Sequence, residues 1–530
     1  MITAPLSLSP SLPLSLSLDP LFPYLRSIVK RKILSLSLDP LFPYLRSIAK
    51  RERERESMEE EVATTRSLLL AEEMADISDG GDAGGSSSST TAVLLFGTFV
   101  AICGLFAYGC ASGYSSPAES GIMEDLGLST VEYSVFASVM TIGGMLGAIV
   151  SGKLTDLTGR RGAIWFSDIF ITVGWLAILL AEGAWSLDLG RLSMGFGYGI
   201  LPYAAHVYIA EITPKNIRGG FAAAGSIMVC GGLAFMFFVG NIFTWRTLAI
   251  FGMMPCLVQF LGLFFIPESP RWLAKIGRES ELEDTIYRLR GKNVDIYAEV
   301  TEIREYTKTF QQLSKANILT LFERRYAHPL IIGVGLMSLQ QFGGTNGLLY
   351  YASSIFEAAG CSAIVGTTAM AVIQIPFTAL CIFLMDKSGR RPLLMVCAAG
   401  TCLGNILVGL AFLFQHLHLP MELSTTLVLS GVMVYSACMS LGMNGIPWVI
   451  LAEIFPINIR GSAGSFVTFV YWFSSWIVSY CFNFLFEWSS AGIFFVFATI
   501  CGSTVLFVAK LVPETKGRSL EEIQASMIHL

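Results

Sequence analysis

Twelve runs of about 20 predominantly apolar residues, each long enough to cross the roughly 30 Å hydrocarbon layer of a bilayer, dominate this chain. They lie near 92–113, 134–152, 162–181, 186–209, 220–240, 246–266, 328–350, 362–385, 393–415, 427–451, 462–484 and 490–511. A run such as "SVFASVMTIGGMLGAIVSG" has no polar face to turn to water, so it is not an amphipathic helix of a soluble core. With 53% hydrophobic and 14% charged residues, a 530-residue chain is also a poor fit to soluble domains. The expected fold class is an all-α membrane protein with 12 transmembrane helices. Six spans over 92–266 form one half, a polar block at 267–327 separates them from six more over 328–511, and 512–530 form a tail.

Orientation follows from Lys and Arg, which keep short loops on the cytoplasmic side. The loops after spans 2, 4, 8 and 10 and the tail after span 12 carry Lys153, Arg160, Arg161, Lys215, Arg218, Lys387, Arg390, Arg391, Arg460, Lys516 and Arg518. The opposite loops carry almost none, with Arg191 and Arg246 assigned to span edges. Both termini and the central block are therefore expected in the cytoplasm, in a chain whose main partner is the lipid bilayer.

Chemistry-bearing clusters are sparse. The 11 Cys are scattered, mostly within spans and without a CxxC pair, which reads as small buried residues rather than a disulfide framework or a metal site. His206 falls within a span and reads as a packing residue. The glycine-rich runs "TIGGMLGAIVSG" and "CGGLAF" have helix-packing spacing, not phosphate-loop spacing. No nucleophile and base stand together, so an enzyme is the least expected class, and no cofactor, metal or nucleic-acid partner is expected.

The ends differ from the middle. "SLSLDPLFPYLRSI" occurs at 15–28 and again at 35–48, followed by "RERERE", alternations of the kind that dinucleotide repeats encode. Residues 1–57 are expected to be disordered and a translated upstream region, with Met58 the working start. The stretch 58–91 is acidic, then Gly/Ser-rich, as a flexible arm would be. In the central block "PESPRWLAKIG" predicts a short helix capped by Ser269, started by Pro270 and ended by Gly277, and Leu282, Ile286 and Leu289 recur at helical spacing.

Three motifs occur twice in the same order. "DLTGRRG" at 156–162 returns as "DKSGRRP" at 386–392, "AEITPKNIRG" at 210–219 returns as "AEIFPINIRG" at 452–461, and "PESPR" at 267–271 returns as "PETKG" at 513–517. The offsets are 230, 242 and 246 residues. An internal duplication of six spans explains them, and two such halves about an axis along the membrane normal describe the major facilitator architecture.

Together with "QQFGGTN" at 340–346 and "PW" at Pro447 and Trp448, these motifs resemble the sugar-porter family of the major facilitator superfamily over about 90–520. "GYSSP", "DKSGRRPL", "PWVILAEIFPINIRG" and "VPETKGRSLEEIQA" are most similar to the plant early-responsive-to-dehydration group of monosaccharide transporters. The resemblance implies a carrier that moves a small-molecule sugar by alternating access, in the vacuolar or plasma membrane. It implies that Gln340, Gln341, Asn346 and Gln374 bind sugar hydroxyls, that Trp448 stacks on the ring, and that Tyr350 and Tyr351 close the outer side. Amides within apolar runs suit such a site, since each needs a partner that hydrocarbon does not supply.

On the cytoplasmic face the resemblance implies a latch of Asp156, Arg160, Arg161, Glu211, Arg218 and Glu268 in one half and Asp386, Arg390, Arg391, Glu453, Arg460 and Glu514 in the other. Asp156 and Asp386 are expected to accept helix N-terminal amides, and the ion pairs to form when this face closes and part when it opens.

Three positions depart from the family pattern. The proton-exchanging span-1 Asp of many members aligns with Ala111 while its Arg partner survives as Arg191, which favours facilitated diffusion over proton symport. Ser226 and Tyr471 stand where amides are common. A hexose such as glucose is the default cargo, with a polyol carrier or a sugar sensor as the alternatives.

Overall fold

The computed structural model describes residues 91–214, 217–291, 296–313, 321–323, 326–455 and 459–516. The duplicated segment at 15–48, the arm before Thr91 and the end of the tail lie outside the described residues, as do the side chains of Asp386 and Arg460. Among the described residues there is no strand.

Each of the twelve apolar runs falls on helix. Nine helices are long and apolar enough to cross a membrane among the described residues. The first half contains α1 (Ala92–Leu126), α2 (Thr130–Leu179), α3 (Ala184–Ile212), α4 (Arg218–Gly240) and α5 (Trp245–Gly262). α2 is two helices joined at Gly159, whose backbone is not helical, so one 50-residue element carries spans 2 and 3. Ser129 and Glu132 form a capping box at its start, each side chain taking a backbone N–H of the other.

Three short helices follow: α6 (Pro270–Ile276), α7 (Glu279–Arg290) and α8 (Tyr297–Leu313). α6 starts on Ser269, whose Oγ accepts the Trp272 N–H, and ends at Gly277 in the left-handed conformation, φ 76°. Leu273, Leu282, Ile286, Ile296, Val300 and Ile303 bury one another into a small core of their own. Arg290 ties this block to the first half by donating to the Ile212 carbonyl at 2.8 Å.

The second half contains α9 (Ala327–Phe342), α10 (Thr345–Tyr350), α11 (Ala352–Ala358), α12 (Ala363–Ser388), α13 (Arg390–His416), α14 (Met421–Cys438), α15 (Ile446–Ile454), α16 (Arg460–Trp488) and α17 (Ser490–Leu511). α12 meets α13 at Gly389, with φ 88° and ψ 164°, as the two parts of α2 meet at Gly159, with φ 84° and ψ 173°. Ile217 and Ile459 likewise share φ −113° before α4 and α16. The duplication seen in the sequence therefore extends to backbone angles.

Packing is inside-out relative to a soluble protein. Phe265, Phe383 and Leu261 are 70%, 69% and 63% exposed on the outer surface, where lipid rather than water meets them. Helices pack through small residues: a Cβ on Gly195 would lie 2.0 Å from the Met140 carbonyl, so α2 and α3 touch backbone to backbone.

Two spans are broken. Span 7 stops at Phe342, and Gly344 turns with φ 94° before α10 resumes. The Gly343 carbonyl released by the break accepts the Tyr435 hydroxyl at 3.1 Å and the Asn405 amide at 3.3 Å. Span 10 carries a π segment, Met439–Met443, between α14 and α15. A Cβ at position 344 would lie 2.5 Å from the Phe497 ring, on a backbone that side chains disfavour. Gly344→Ala is therefore expected to destabilise the protein by about 1–3 kcal/mol from backbone strain alone, read as a lower Tm in detergent, whereas Gly220→Ala, which meets open space, is expected to leave Tm unchanged.

Candidate functional site

The repeated motifs build one charge cluster in each half, on the same face. Glu268 accepts the amides of Arg160 (2.9 Å), Arg161 (3.1 Å) and Ser269 (2.8 Å), closing the start of the second part of α2. Glu514 accepts the amides of Arg390 and Arg391, each at 3.1 Å, and of Lys516 at 2.9 Å, closing the start of α13. A carboxylate on the exposed amides of a helix N-terminus satisfies both their hydrogen bonding and their partial charge. The first Arg of each pair then binds an acid: Arg160 makes a two-pronged bond to Glu211 at 2.8 and 3.0 Å, and Arg390 reaches Glu453 at 3.3 Å. The second Arg binds a span-end carbonyl, Arg161 that of Phe264 and Arg391 that of Ala509. Ser269 adds a hydroxyl bond to Glu211.

This arrangement corrects two expectations. The amides go to Glu268 and Glu514, not to Asp156: half exposed on the last turn before Gly159, Asp156 pairs with Lys275 at 2.9 Å and with Arg160 at 3.8 Å. Nor do the pairs span the halves. Arg160–Glu211 and Arg390–Glu453 each lie within one half, and Arg218 donates to the Thr213 carbonyl of its own half at 3.4 Å. In this structure the described pairs brace each half from within.

The halves do join at the opposite, far face. Ser116 and Ser353 hydroxyls lie 2.8 Å apart, the Ser354 hydroxyl donates to Glu119 at 2.5 Å, and Asn483 donates to the Ser134 hydroxyl at 3.2 Å. Tyr351 packs edge-on against Tyr133, with ring centres 6.4 Å apart, and stacks on Phe482 at 5.2 Å. Its hydroxyl donates to the Ser479 carbonyl.

Between the two faces lie the polar residues of spans 7, 10 and 11. Gln340 and Gln341, 3% and 0% exposed, sit on the last turn of α9 directly before the break. The Gln340 amide reaches Asn444 Oδ1 at 3.4 Å, and its own carbonyl oxygen has no partner. Gln341 has the Tyr471 hydroxyl as its polar neighbour, in a geometry short of a full hydrogen bond. Asn346 donates to the Ser475 hydroxyl. Trp448, 39% exposed, meets the Tyr471 ring edge-on at 5.4 Å. Tyr350 is buried beside Tyr471 and Tyr108, the latter from the first half. The structure thus brings Gln341, Tyr350 and Trp448 together around Tyr471, while Gln340 turns to Asn444. Gln374 is half-buried on α12 without a bond to this group. Asn444, Ser475 and Tyr108 lie against these residues and were not singled out in the sequence, whereas Tyr471 was, as a position where an amide is common. The glycines of "GMNGIP" around Asn444, which interrupt an otherwise apolar run, were the available signal.

Arg191 is also corrected. It is fully buried, not at a span edge. Its guanidinium donates to the Ala111 carbonyl (3.1 Å) and the Ser115 hydroxyl (2.8 Å), and lies 5.0 and 4.6 Å from the Tyr114 and Phe136 ring centres. No carboxylate pairs with it among the described residues.

A bundle of membrane-spanning helices in two duplicated halves, with unsatisfied amides and aromatic rings between them, defines a transporter of a polar small molecule. A family profile described as "Sugar (and other) transporter" matches residues 87–527. "Sugar transporter ERD6-like 17" of Arabidopsis thaliana is 49% identical over 438 residues, 83% of this chain and 92% of that protein. "Sugar transporter ESL1" of the same organism is 48% identical over 436 residues, 82% of this chain and 93% of that protein. The structure of the proton:xylose symporter XylE bound to 6-bromo-6-deoxy-D-glucose aligns with a TM-score of 0.69 at 25% identity, over 83% of this chain and 100% of that one. The chain belongs to the sugar-transporter family of the major facilitator superfamily. It is an integral, multi-pass membrane protein and not an enzyme.

Four backbone amides, of Lys516, Arg390, Arg391 and Thr515, outweigh burial and hold the Glu514 carboxyl below the usual carboxylate range. For a depressed acid the stabilisation is present above the ordinary value near 4.5 and is lost as pH falls through the folded-state value. Glu514→Gln is therefore expected to lower Tm at pH near 7, with the gap to the parent protein closing progressively below about pH 4.5 in thermal melts.

Proposed function

We propose that this sugar transporter carries a monosaccharide, a hexose such as glucose, by facilitated diffusion through alternating access. The observation that carries the substrate reading is the pair Gln340 and Gln341, 3% and 0% exposed at a helix break, where the Gln340 carbonyl oxygen has no partner and Gln341 has only the Tyr471 hydroxyl as a polar neighbour. A buried amide without partners is unfavourable by about 1–3 kcal/mol, and a sugar hydroxyl, donor and acceptor at once, is suited to relieve it. Gln340 and Asn346 extend the hydroxyl contacts and Gln374 adds another from α12. Trp448 and Tyr471 offer apolar plates to the ring face, and Tyr350 and Tyr351 close the site towards the far face. The motif face is the cytoplasmic one, by its excess of Lys and Arg, and the membrane is vacuolar or plasma.

Facilitated diffusion rests on Arg191. Proton symport through the usual route needs an acid that exchanges its proton beside this Arg, and the groups around it are the Ala111 carbonyl, the Ser115 hydroxyl and two rings. A cation held by carbonyl, hydroxyl and ring faces keeps its charge throughout the cycle. The XylE relative is a proton:xylose symporter, so the coupling mode is the point at which the two proteins differ under this reading.

Uptake of labelled hexoses, pentoses and polyols into proteoliposomes tests both parts. A hexose is expected to equilibrate without accumulating, and its uptake to be indifferent to an uncoupler. Accumulation that an uncoupler abolishes overturns facilitation. Gln341→Ala is expected to raise KM about tenfold or more, equivalent to about 1.4 kcal/mol of lost contact, with unchanged Tm. An unchanged KM removes Gln341 from the site.

A further inference from the structure

The far-face junction is built on equivalent positions of the two halves. Ser116 of α1 and Ser353 of α11 are 237 residues apart, within the 230 to 246 offsets of the repeated motifs, and their hydroxyls meet at 2.8 Å. The Ser353 amide also donates to Ser116 Oγ at 2.8 Å. Tyr114 and Tyr351 stand at the same offset two residues earlier. A residue that touches its own repeat partner marks the pseudo-twofold axis, so the halves meet here as the subunits of a two-fold dimer would.

Contacts across such an axis set like against like. Ser116, Glu119 and Ser120 share one face of α1, and Ser353, Ser354 and Glu357 share one face of α11. All six, with Met123, line one cavity of about 200 Å³ between the halves. Glu119 accepts the Ser354 hydroxyl across the junction and has Glu357 as its charged neighbour. Tyr133 from α2 and Tyr351 from the start of α11 also face it, and neither is a cation. The nearest cation on α3, Arg191, is committed to Ala111 and Ser115 one turn away.

We propose that Glu119, with the exposed Glu357 beside it, forms a proton-responsive clasp: the far face closes with Glu119 carrying a proton, and acid on that side favours the far-closed state. Closing the junction removes water from Glu119 and brings Glu357 towards it, and both changes favour a neutral carboxyl over an ionised one. The Ser354 hydroxyl bond, which favours the ionised form, opposes them, but a protonated carboxyl still has an oxygen free to accept it. Whatever binds a proton more tightly when closed is closed further by added protons. The proton enters from the far side at closure and returns to that side at opening, so it crosses no membrane. It sets the balance of states in a facilitated carrier and does not couple transport. The opposite regulation, opening by acid, would require the Ser354 bond to outweigh both other effects.

The clasp rests on the reading of the chain as an alternating-access sugar carrier. The test is hydrogen exchange of the full-length protein in lipid nanodiscs, corrected for the intrinsic pH dependence of exchange, followed at residues 114–124 and 351–360. Protection there is expected to rise roughly three- to tenfold between about pH 7.5 and about pH 5.5, the effect of one proton bound up to tenfold more tightly by the closed state. Glu119→Gln, a permanently neutral side chain, is expected to give high protection at both pH values. Ser116→Ala is expected to lower protection at both while keeping the pH response. Wild-type protection that does not change with pH, or a Glu119→Gln protein that keeps the full response, overturns the clasp. Glucose binding measured on the same nanodiscs by calorimetry tests the carrier reading separately, since its absence leaves the exchange result intact.

Discussion

A helix that ends or breaks inside or at the edge of hydrocarbon must have its open N–H and C=O groups closed by protein, because lipid offers them nothing. Much of this structure answers that requirement. Glu268 closes the turn after Gly159 and Glu514 closes the turn after Gly389, in the same geometry. Both glycines are held at φ above 80°, and a Cβ on either would strike the capping carboxylate, at 2.5 Å from Glu268 and 2.8 Å from Glu514. The Arg pair that follows each glycine fastens the cap to Glu211 or Glu453 and to a neighbouring span end. The repeated motifs are thus the hardware of one joint, made twice.

The same requirement operates differently between the faces. The break at Gly343 and Gly344 is closed by Tyr435 and Asn405 on one side, while the Gln340 carbonyl oxygen next to it is left without a partner. The frame is symmetric and the polar site is not. α1, the counterpart of broken span 7, is continuous over 35 residues, so the second half supplies the amides and the first supplies Tyr108 and the enclosed Arg191. Two halves, each braced by its own ion pairs, that meet at the far face and along their inner helices, where Trp472 packs on Met145 and Ala148 and Cys230 meets Thr378, have the mechanical form of a rocking carrier.

Much of this was legible in the sequence. The spans could be read because an apolar run of about 20 residues has few other uses, and the start and stop of α6 because Ser269, Pro270 and Gly277 each act through their own local geometry. Gln340, Gln341 and Trp448 could be placed in one site from residue type and motif together. Which acid serves which amide could not: Asp156 and Glu268 are both near the Arg160 turn in space, and only the fold decides that the longer arm, arriving from 108 residues away, reaches the amides. Arg191 was misplaced because one charge near the start of a run looks like a boundary, when ring faces and a carbonyl instead accommodate it inside the bundle. The ion pairs were expected to form and part with the closing of this face, because duplicated charges at a loop face suggest a latch. The structure shows Arg160–Glu211 and Arg390–Glu453 paired within each copy.

The central claim is that the two braced halves move a sugar by exposing one polar centre to either side in turn. Entrance counterflow measures this most directly: proteoliposomes preloaded with unlabelled glucose are diluted into trace labelled glucose with no pH or electrical gradient. The account predicts a transient overshoot of label inside the vesicles, because a carrier that returns loaded exchanges faster than it equilibrates. Saturable glucose binding to the same protein with no overshoot would contradict it, since that is the behaviour of a receptor that holds sugar without carrying it.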